Sequence, residues 1–369
     1  MKEVAIKDIC KKDSSSLKQK ELMTEGKYPV YGASGIAGYL DSYHQDNAYI
    51  GIVKDGSGIG RVAFYPEKSS LIGTMQYILP KAGYDIRYIG YCLQSLDLSK
   101  YKQGAAIPHI YFRDYGERLV KVTDNLDEQQ RIVERLDAAF ENIDKLKANA
   151  EKQLAEARTL FQKSLAKAME PKEGWKEKTL KDVADFVRGP FGGSLTKSMF
   201  KSEGYAVYEQ QHAIHGHINI RYYIDSVKFK EMERFSVEAG DLIMSCSGVT
   251  LGRVNLLPSN TPAGIINQAL LKMKVNKNTD ARYFKFWLES SHFQKIIKEY
   301  SGGAAIPNVP AVKILKDIKI CIPPLAVQQR IVERLDALSE NIRKYEEIQQ
   351  QIISECDALK QALLRKVFE

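Results

Sequence analysis

The chain has 369 residues, 44% of them hydrophobic and 27% charged, and a formal net charge of +8. That length exceeds what one hydrophobic core usually serves, so two or more domains are expected, and the composition excludes a disordered polymer. No apolar run approaches the ~18 residues of a spanning helix, no apolar leader core opens the chain, and the five scattered cysteines lack C-x-x-C spacing, which predicts buried thiols in a cytoplasmic protein without a disulfide framework or a structural zinc.

Residues 1–124 read as a mixed α/β domain. The runs 48–53 and 61–65 are short, apolar or alternating, and bounded by turn-forming residues. Gly56-Ser-Gly-Ile-Gly60 looks phosphate-binding but runs into a strand instead of opening a helix, so a β-turn is expected there. Gly26-Lys27 lacks the rest of a P-loop. Residues 125–170 change texture. Ile132, Leu136, Ala139, Ile143, Leu146, Ala150, Leu154, Ala157 and Phe161 recur at spacings of three and four, which predicts one long amphipathic helix. Asn125 and Glu128 suit a capping box, and Pro171 with Gly174 ends the pattern.

Residues 171–323 return to strand-like runs, at 241–244 and 269–275, with helix expected over 283–299. Residues 324–369, after Pro323-Pro324, form a second helical stripe: Ile331, Leu335, Leu338, Ile342, Tyr345, Ile348, Ile352, Cys356, Leu359 and Leu363. The four segments carry net charges of +3, −1, +7 and −1, so the basic excess lies entirely in the two mixed domains.

An internal repeat links these segments. QQRIVERLDA occurs at 129–138 and at 328–337, an offset of 199, and the same offset pairs Gly104-Ala-Ala-Ile-Pro108 with Gly303-Ala-Ala-Ile-Pro307. From Tyr101 to the C-terminus no gap is needed, and 26 of 69 positions are identical. Upstream the similarity decays: 2–9 resembles 176–183 at an offset of 174. The fold class expected is therefore α+β: two mixed α/β domains joined by two long helices in a coiled coil, with a pseudo-two-fold repeat. A rod of ~40 residues is ~60 Å long and cannot bury its stripe alone.

Loops of the mixed domains supply Arg, Gln, Asn, Ser and His, the side chains that read base edges. Candidate DNA contacts are Tyr31, Ser34, Lys54, Ser57, Arg61 and His109 in the first domain. In the second they are Arg188, Phe191, Ser194, Gln210, Gln211, His212, His215, Ser245, Ser247, Arg253, Asn267, Gln268 and Asn308. Each taken singly also fits an ordinary polar loop. His212, His215 and His217 are close in sequence but have no acidic or cysteine neighbour, so no metal is expected; no cofactor is expected either. Neither a G-x-S-x-G elbow nor an Asn/Asp-Pro-Pro-aromatic signature is present, which predicts a binder and not an enzyme.

Gln129, Gln130, Arg131, Glu134 and Arg135 are repeated as Gln328, Gln329, Arg330, Glu333 and Arg334, although the apolar stripe does not require their identity. They are expected to form two equivalent partner-docking surfaces, the competing role being caps and salt bridges within the chain.

Tandem variable domains, each closed by G-x-x-I-P and followed by Q-Q-R-I-V-x-x-L-D opening a long helix, resemble the specificity subunit of type I restriction-modification enzymes over the whole chain. The resemblance implies two target-recognition domains, at 1–124 and 171–323, at opposite ends of two long antiparallel helices forming a coiled coil, the conserved helical spacers at 125–170 and 324–369. It further implies double-stranded DNA as ligand, two methyltransferase subunits as partners, motor-nuclease subunits in the full complex, and catalysis residing in those partners. An alternative reading of the residues is a coiled-coil adaptor whose side domains bind protein or carbohydrate.

Overall fold

The computed structural model describes residues 1–104, 108–216, 218–301 and 307–368. Most of both G-A-A-I-P motifs, and His217, lie outside the described residues. The chain divides into two compact units: Met1–Gln153 with Ile348–Glu369, and Leu154–Glu347. Both long helices therefore contribute to both units.

In the first unit the chain runs β1 (Lys2–Ala5), α1 (Ile6–Ile9), β2 (Cys10–Ser14), β3 (Tyr28–Gly32), β4 (Gly35–Leu40), β5 (Tyr49–Val53), β6 (Val62–Tyr65), β7 (Ser70–Leu71) and β8 (Met75–Pro80). It continues through α2 (Ile86–Ser95), α3 (Phe112–Tyr115) and β9 (Leu119–Val122) into α4 (Leu126–Met169). A four-stranded sheet of order β2-β8-β5-β6 stands beside a three-stranded one, β4-β3-β7, and β1 pairs with β9.

The second unit repeats this plan with β10 (Lys176–Thr179), β11 (Ala184–Arg188), β12 (Tyr205–Tyr208), α5 (Gln210–His215), β13 (Tyr223–Ile224), α6 (Ser226–Glu231) and β14 (Ser236–Val237). There follow β15 (Leu242–Ser245), β16 (Val254–Leu256), β17 (Gly264–Ile266), β18 (Leu270–Val275), α7 (Ala281–Glu289), α8 (Ser291–Tyr300), α9 (Val312–Asp317), β19 (Lys319–Ile322) and α10 (Leu325–Phe368). Its sheets have orders β11-β18-β15-β16 and β13-β12-β17-β14, and β10 pairs with β19. In both units the second of these sheets contains one parallel pair, β3 with β7 and β12 with β17. The single helix expected over 283–299 is two, broken at Ser290, whose extended backbone and side chain cap α8.

Strand register corrects the gapless repeat. Lys2 pairs with Val122 and Lys176 with Ile322, so β9 and β19 correspond at an offset of 200, whereas the long helices correspond at 199. One extra residue before β19 is offset by one fewer before α10, which a comparison without gaps cannot register.

Within each unit the two helices run antiparallel. Lys147 binds Asp357 at 2.7 Å and Lys360 binds Asp144 at 2.5 Å in the first, and Arg158 binds Glu346 at 2.8 Å in the second. The seam follows one heptad row: Leu136, Ile143, Ala150 and Ala157 are buried on α4, and Leu335, Gln349 and Cys356 on α10. Val133, Leu364 and Phe368 join the first core and Leu165, Met169 and Val332 the second. Four residues expected on the stripe are exposed instead: Leu146, Tyr345, Ile348 and Leu359. Two helices bury a single narrow row, so a stripe as broad as the sequence suggests leaves one flank uncovered.

The expected capping box closes through a third residue. The Asn125 side chain accepts the Glu128 amide at 3.1 Å, but Glu128 takes its hydrogen bond from the Thr123 hydroxyl at 2.6 Å. One turn on, Gln129 is fully buried. Its Oε1 accepts the Asp85 N–H at 2.7 Å, and its amide donates to the carbonyls of Gly83 at 3.0 Å and Thr123 at 2.9 Å. Gln328 does the same with Asp280 at 2.8 Å, Asn278 at 3.2 Å and Pro323 at 2.9 Å. Asp85 and Asp280 are the N-caps of α2 and α7, so each glutamine ties the start of a long helix to the start of a domain helix and to the strand that leaves the domain. Arg87 with Asp137 and Arg282 with Asp336 repeat a second, exposed tie.

Gln129→Ala should leave three backbone groups, the buried Thr123 carbonyl among them, without their side-chain partner and lower the stability of the first unit by about 1–3 kcal/mol, and Gln328→Ala should do the same to the second through Pro323. Gln130→Ala, at the exposed neighbour, should stay within about 0.5 kcal/mol. Urea unfolding of the three variants measures the contrast; equal effects at 129 and 130 would refute the pin.

Candidate nucleic-acid interface

Two turns, 54–61 between β5 and β6 and 246–253 between β15 and β16, are built on the same set of backbone hydrogen bonds. Val53 N–H binds Arg61 O at 3.0 Å as Ser245 N–H binds Arg253 O at 2.8 Å. Gly60 N–H binds Val53 O at 2.8 Å as Gly252 N–H binds Ser245 O at 2.9 Å. The residues just past the G-A-A-I-P motifs strap each turn down. Gly56 N–H binds Pro108 O and Ile110 N–H binds Lys54 O, matched by Gly248 N–H to Pro307 O and Val309 N–H to Cys246 O, all at 2.9–3.1 Å. Gly56 and Gly248 have φ of +83° and +75°, the left-handed region that a side chain disfavours, which is why both turns carry glycine at this point.

On the first turn, Asp55 sits between His109 and Lys54. His109 Nδ1 lies 2.6 Å from one carboxylate oxygen and Lys54 Nζ 3.1 Å from the other. Arg61 reaches across to the β3–β4 turn and donates to Ala33 O at 2.9 Å. Ser34 and Ser57 are exposed. Tyr31 is half-buried, its ring 5.0 Å from that of Tyr65. Asp55 had no place among the expected contacts; only its backbone equivalence to Ser247 singles it out.

On the second turn, Arg188 donates to Asn308 Oδ1 at 3.1 Å and its guanidinium lies 5.8 Å from the centre of the Phe191 ring. Arg188 Nε is buried and makes no hydrogen bond among the described residues. Behind it, burial pushes the Cys246 thiol up to about 12, against the opposing pull of the guanidinium, so the sulfur is a neutral thiol near pH 7. The Arg188 strand end approaches β18 so closely that a Cβ at Gly189 would stand 1.9 Å from Asn267 O. Val249, at the tip of the turn, is 104% exposed and Phe191 69% exposed. Arg253, His215, Gln268 and Asn308 are exposed, Ser247 is half-buried, and the exposed Ser194 donates to Phe191 O at 2.9 Å.

Several expected contacts face inward. His212 is fully buried; its Nδ1 accepts the Glu209 N–H at 2.8 Å and its Nε2 donates to Asn219 O at 2.9 Å, so both ring nitrogens are used. Ser245 is fully buried. Gln210 donates to Ser245 Oγ, Ser247 O and Thr250 Oγ1 at 2.7–2.9 Å and so holds the turn from behind. Asn267 Oδ1 accepts the Ala269 N–H at 3.0 Å and shapes its own turn. Gln211 binds Glu209 at 3.2 Å. Polar atoms already satisfied inside the fold have little left to offer a base.

The repeated helix residues divide in the same way. Gln129 and Gln328 are buried pins and leave the proposed docking surface. Gln130, Arg131, Glu134 and Arg135 are exposed, as are Gln329, Arg330, Glu333 and Arg334. The four arginines form no ion pair among the described residues; Gln130 binds Glu134 at 3.1 Å. In the second unit Arg330 and Arg334 line a groove of about 780 Å³ together with Lys167, Ala168, Ile331 and Leu335.

The sequence matches the family described as the type I restriction modification DNA specificity domain over residues 1–156 and 172–353. It is 24% identical over 204 residues to the putative type I restriction enzyme MjaX specificity subunit of Methanocaldococcus jannaschii, covering 53% of this chain and 46% of that one, so the match spans under half of that relative's length. Among solved structures, a chain of a type I R-M system studied for complex assembly and conformational transition aligns over 99% of this chain and 96% of its own, with a TM-score of 0.77 at 18% identity. The HsdS subunit of Thermoanaerobacter tengcongensis aligns over 99% and 95%, with a TM-score of 0.56 at 17% identity. At these identities the likeness is one of fold.

Proposed function

The chain belongs to the type I restriction modification DNA specificity family, and from that premise we propose that it recognises a bipartite, asymmetric duplex target, one half-site for each mixed domain. The observation that carries this reading is the pair of turns held by identical backbone bonds but furnished with different side chains. One frame used twice, with unlike chemistry on it, suits two unlike half-sites. The basic excess in the two mixed domains supplies attraction to phosphate, which makes binding fall as salt rises; a protein- or carbohydrate-binding adaptor has no such requirement.

The helices are the spacer between half-sites and the seat of the methyltransferase subunits, through which motor-nuclease subunits join the complex. The docking surface on α4 comprises Gln130, Arg131, Glu134 and Arg135 with the exposed Leu146, and its equivalent on α10 comprises Gln329, Arg330, Glu333 and Arg334 with Tyr345. Arginines with no ion pair among the described residues, on helices that also expose apolar side chains, have the composition of a protein interface and not of an ordinary helix surface. Chemistry on the DNA is left to the partners.

Exchanging residues 1–124 for the corresponding domain of a relative should change one half of the target and leave the other, as read by mapping methylated bases in cells that carry the hybrid. A change in both halves, or in neither, would refute the modular reading. Charge reversal at Arg131 and Arg135 should leave the fold intact and lower the number of bound methyltransferase subunits from two to one, counted by native mass spectrometry. Two subunits retained at unchanged affinity would remove these arginines from the interface.

A further inference from the structure

The matched turns place four pairs of side chains at equivalent backbone positions, and the pairs differ in chemistry. Ser14 stands opposite Gln76 on β8 as Arg188 stands opposite Leu271 on β18. The turn bonds make Asp55 the counterpart of Ser247 and Ser57 that of Val249, and the strap bonds make His109 that of Asn308. The bridges repeat as well: Asp55 bridges to His109 and Ser247 to Asn308. Four positions that hold the backbone are the same residue in both domains: Gly56 and Gly248, Gly60 and Gly252, Arg61 and Arg253, Pro108 and Pro307; others, such as Val53 and Ser245 or Lys54 and Cys246, make the same backbone bonds with different residues. Shared glycines, arginine and proline, with four chemically different pairs arranged around them, separate what builds the turn from what the turn presents.

We infer that positions 14, 55, 57 and 109 in the first domain, and 188, 247, 249 and 308 in the second, are the specificity-determining set of each domain, an inference that rests on the DNA-recognition reading above. The second set is suited to guanine. Arg188 is a planar fork steadied by Asn308 and by the Phe191 ring, and guanine presents two adjacent acceptors, O6 and N7, to such a fork. Val249 at the exposed tip adds an apolar contact of the kind a thymine methyl accepts. The first set has the opposite polarity. Asp55 offers acceptor oxygens held in place by His109 and Lys54, and an acceptor selects the exocyclic amino group of cytosine or adenine. Ser57 replaces the apolar tip with a hydroxyl, and Ser14 leaves the space that Arg188 fills in the other domain.

The test is selection from duplexes randomised at every base pair of the target, with the full chain as wild type, Arg188→Lys and Asp55→Asn. Arg188→Lys keeps the charge but not the fork, and should weaken the preference at one base pair of the second half-site by about tenfold to a hundredfold. Asp55→Asn, nearly the same shape, should relax one base pair of the first half-site to a similar degree. In each variant the remaining base pairs of the same half-site serve as the control for folding of the substituted domain. Wild-type preferences retained at every position by both variants would overturn the inference and leave the recognition reading standing. Preferences altered in both half-sites by one substitution would also overturn it, because each set acts within its own domain. A wild-type chain that enriches no sequence would overturn the recognition reading and the inference with it.

Discussion

Each mixed domain is joined to the long helix that follows it by one buried glutamine amide. Gln129 and Gln328 use the carboxamide's acceptor and both of its donors on backbone groups from two other segments, the loop before a domain helix and the end of the closing strand. No apolar side chain can meet those three groups, and a carboxylate lacks the donors. Because each pin sits at the first turn of a long helix, it sets the angle at which that helix leaves the domain. The strand pairs β1 with β9 and β10 with β19 close the same junction from the other side.

From that junction outward, the chain separates permanence from variation at the level of single positions. Glycines with positive φ, the prolines of the strap and a bonded arginine hold each turn. The residues between them carry no share of the backbone bonding through their side chains and are free to change. A domain that must accept new bases without refolding needs this division, since substitution at the frame would leave buried N–H and C=O groups unpaired. Inward-facing residues such as Gln210 and His212 belong to the frame even though their side chains are of the base-reading kind.

The helices show a comparable division. Their shared seam is narrow and partly small or polar, with Ala150, Ala157, Gln349 and Cys356 buried. Arg131, Arg135, Arg330 and Arg334 are exposed without ion pairs among the described residues, and Leu146, Tyr345 and Leu359 stand outside the seam. Exposed ion pairs along the seam, such as Lys147 with Asp357, contribute at most about 1 kcal/mol each. The uncovered flank is therefore more telling than the pairs that line it.

The sequence alone determined the internal repeat, the two long helices and the mixed α/β texture between them, because these follow from identity at fixed offset and from local periodicity. It also located the first turn, from the Gly-rich run 56–60. What only the tertiary structure decided is which polar residues face inward. Gln129 and Gln130 are adjacent and both repeated, yet one is buried on three backbone groups and the other is exposed; two of those groups come from a segment more than forty residues away. The same holds for Leu146, apolar and in phase but facing out, and for Asp55, whose importance appears only when its turn is laid on that of Ser247. Periodicity describes one segment at a time, whereas burial depends on which other segment arrives to cover it, and that pairing is a property of the folded chain.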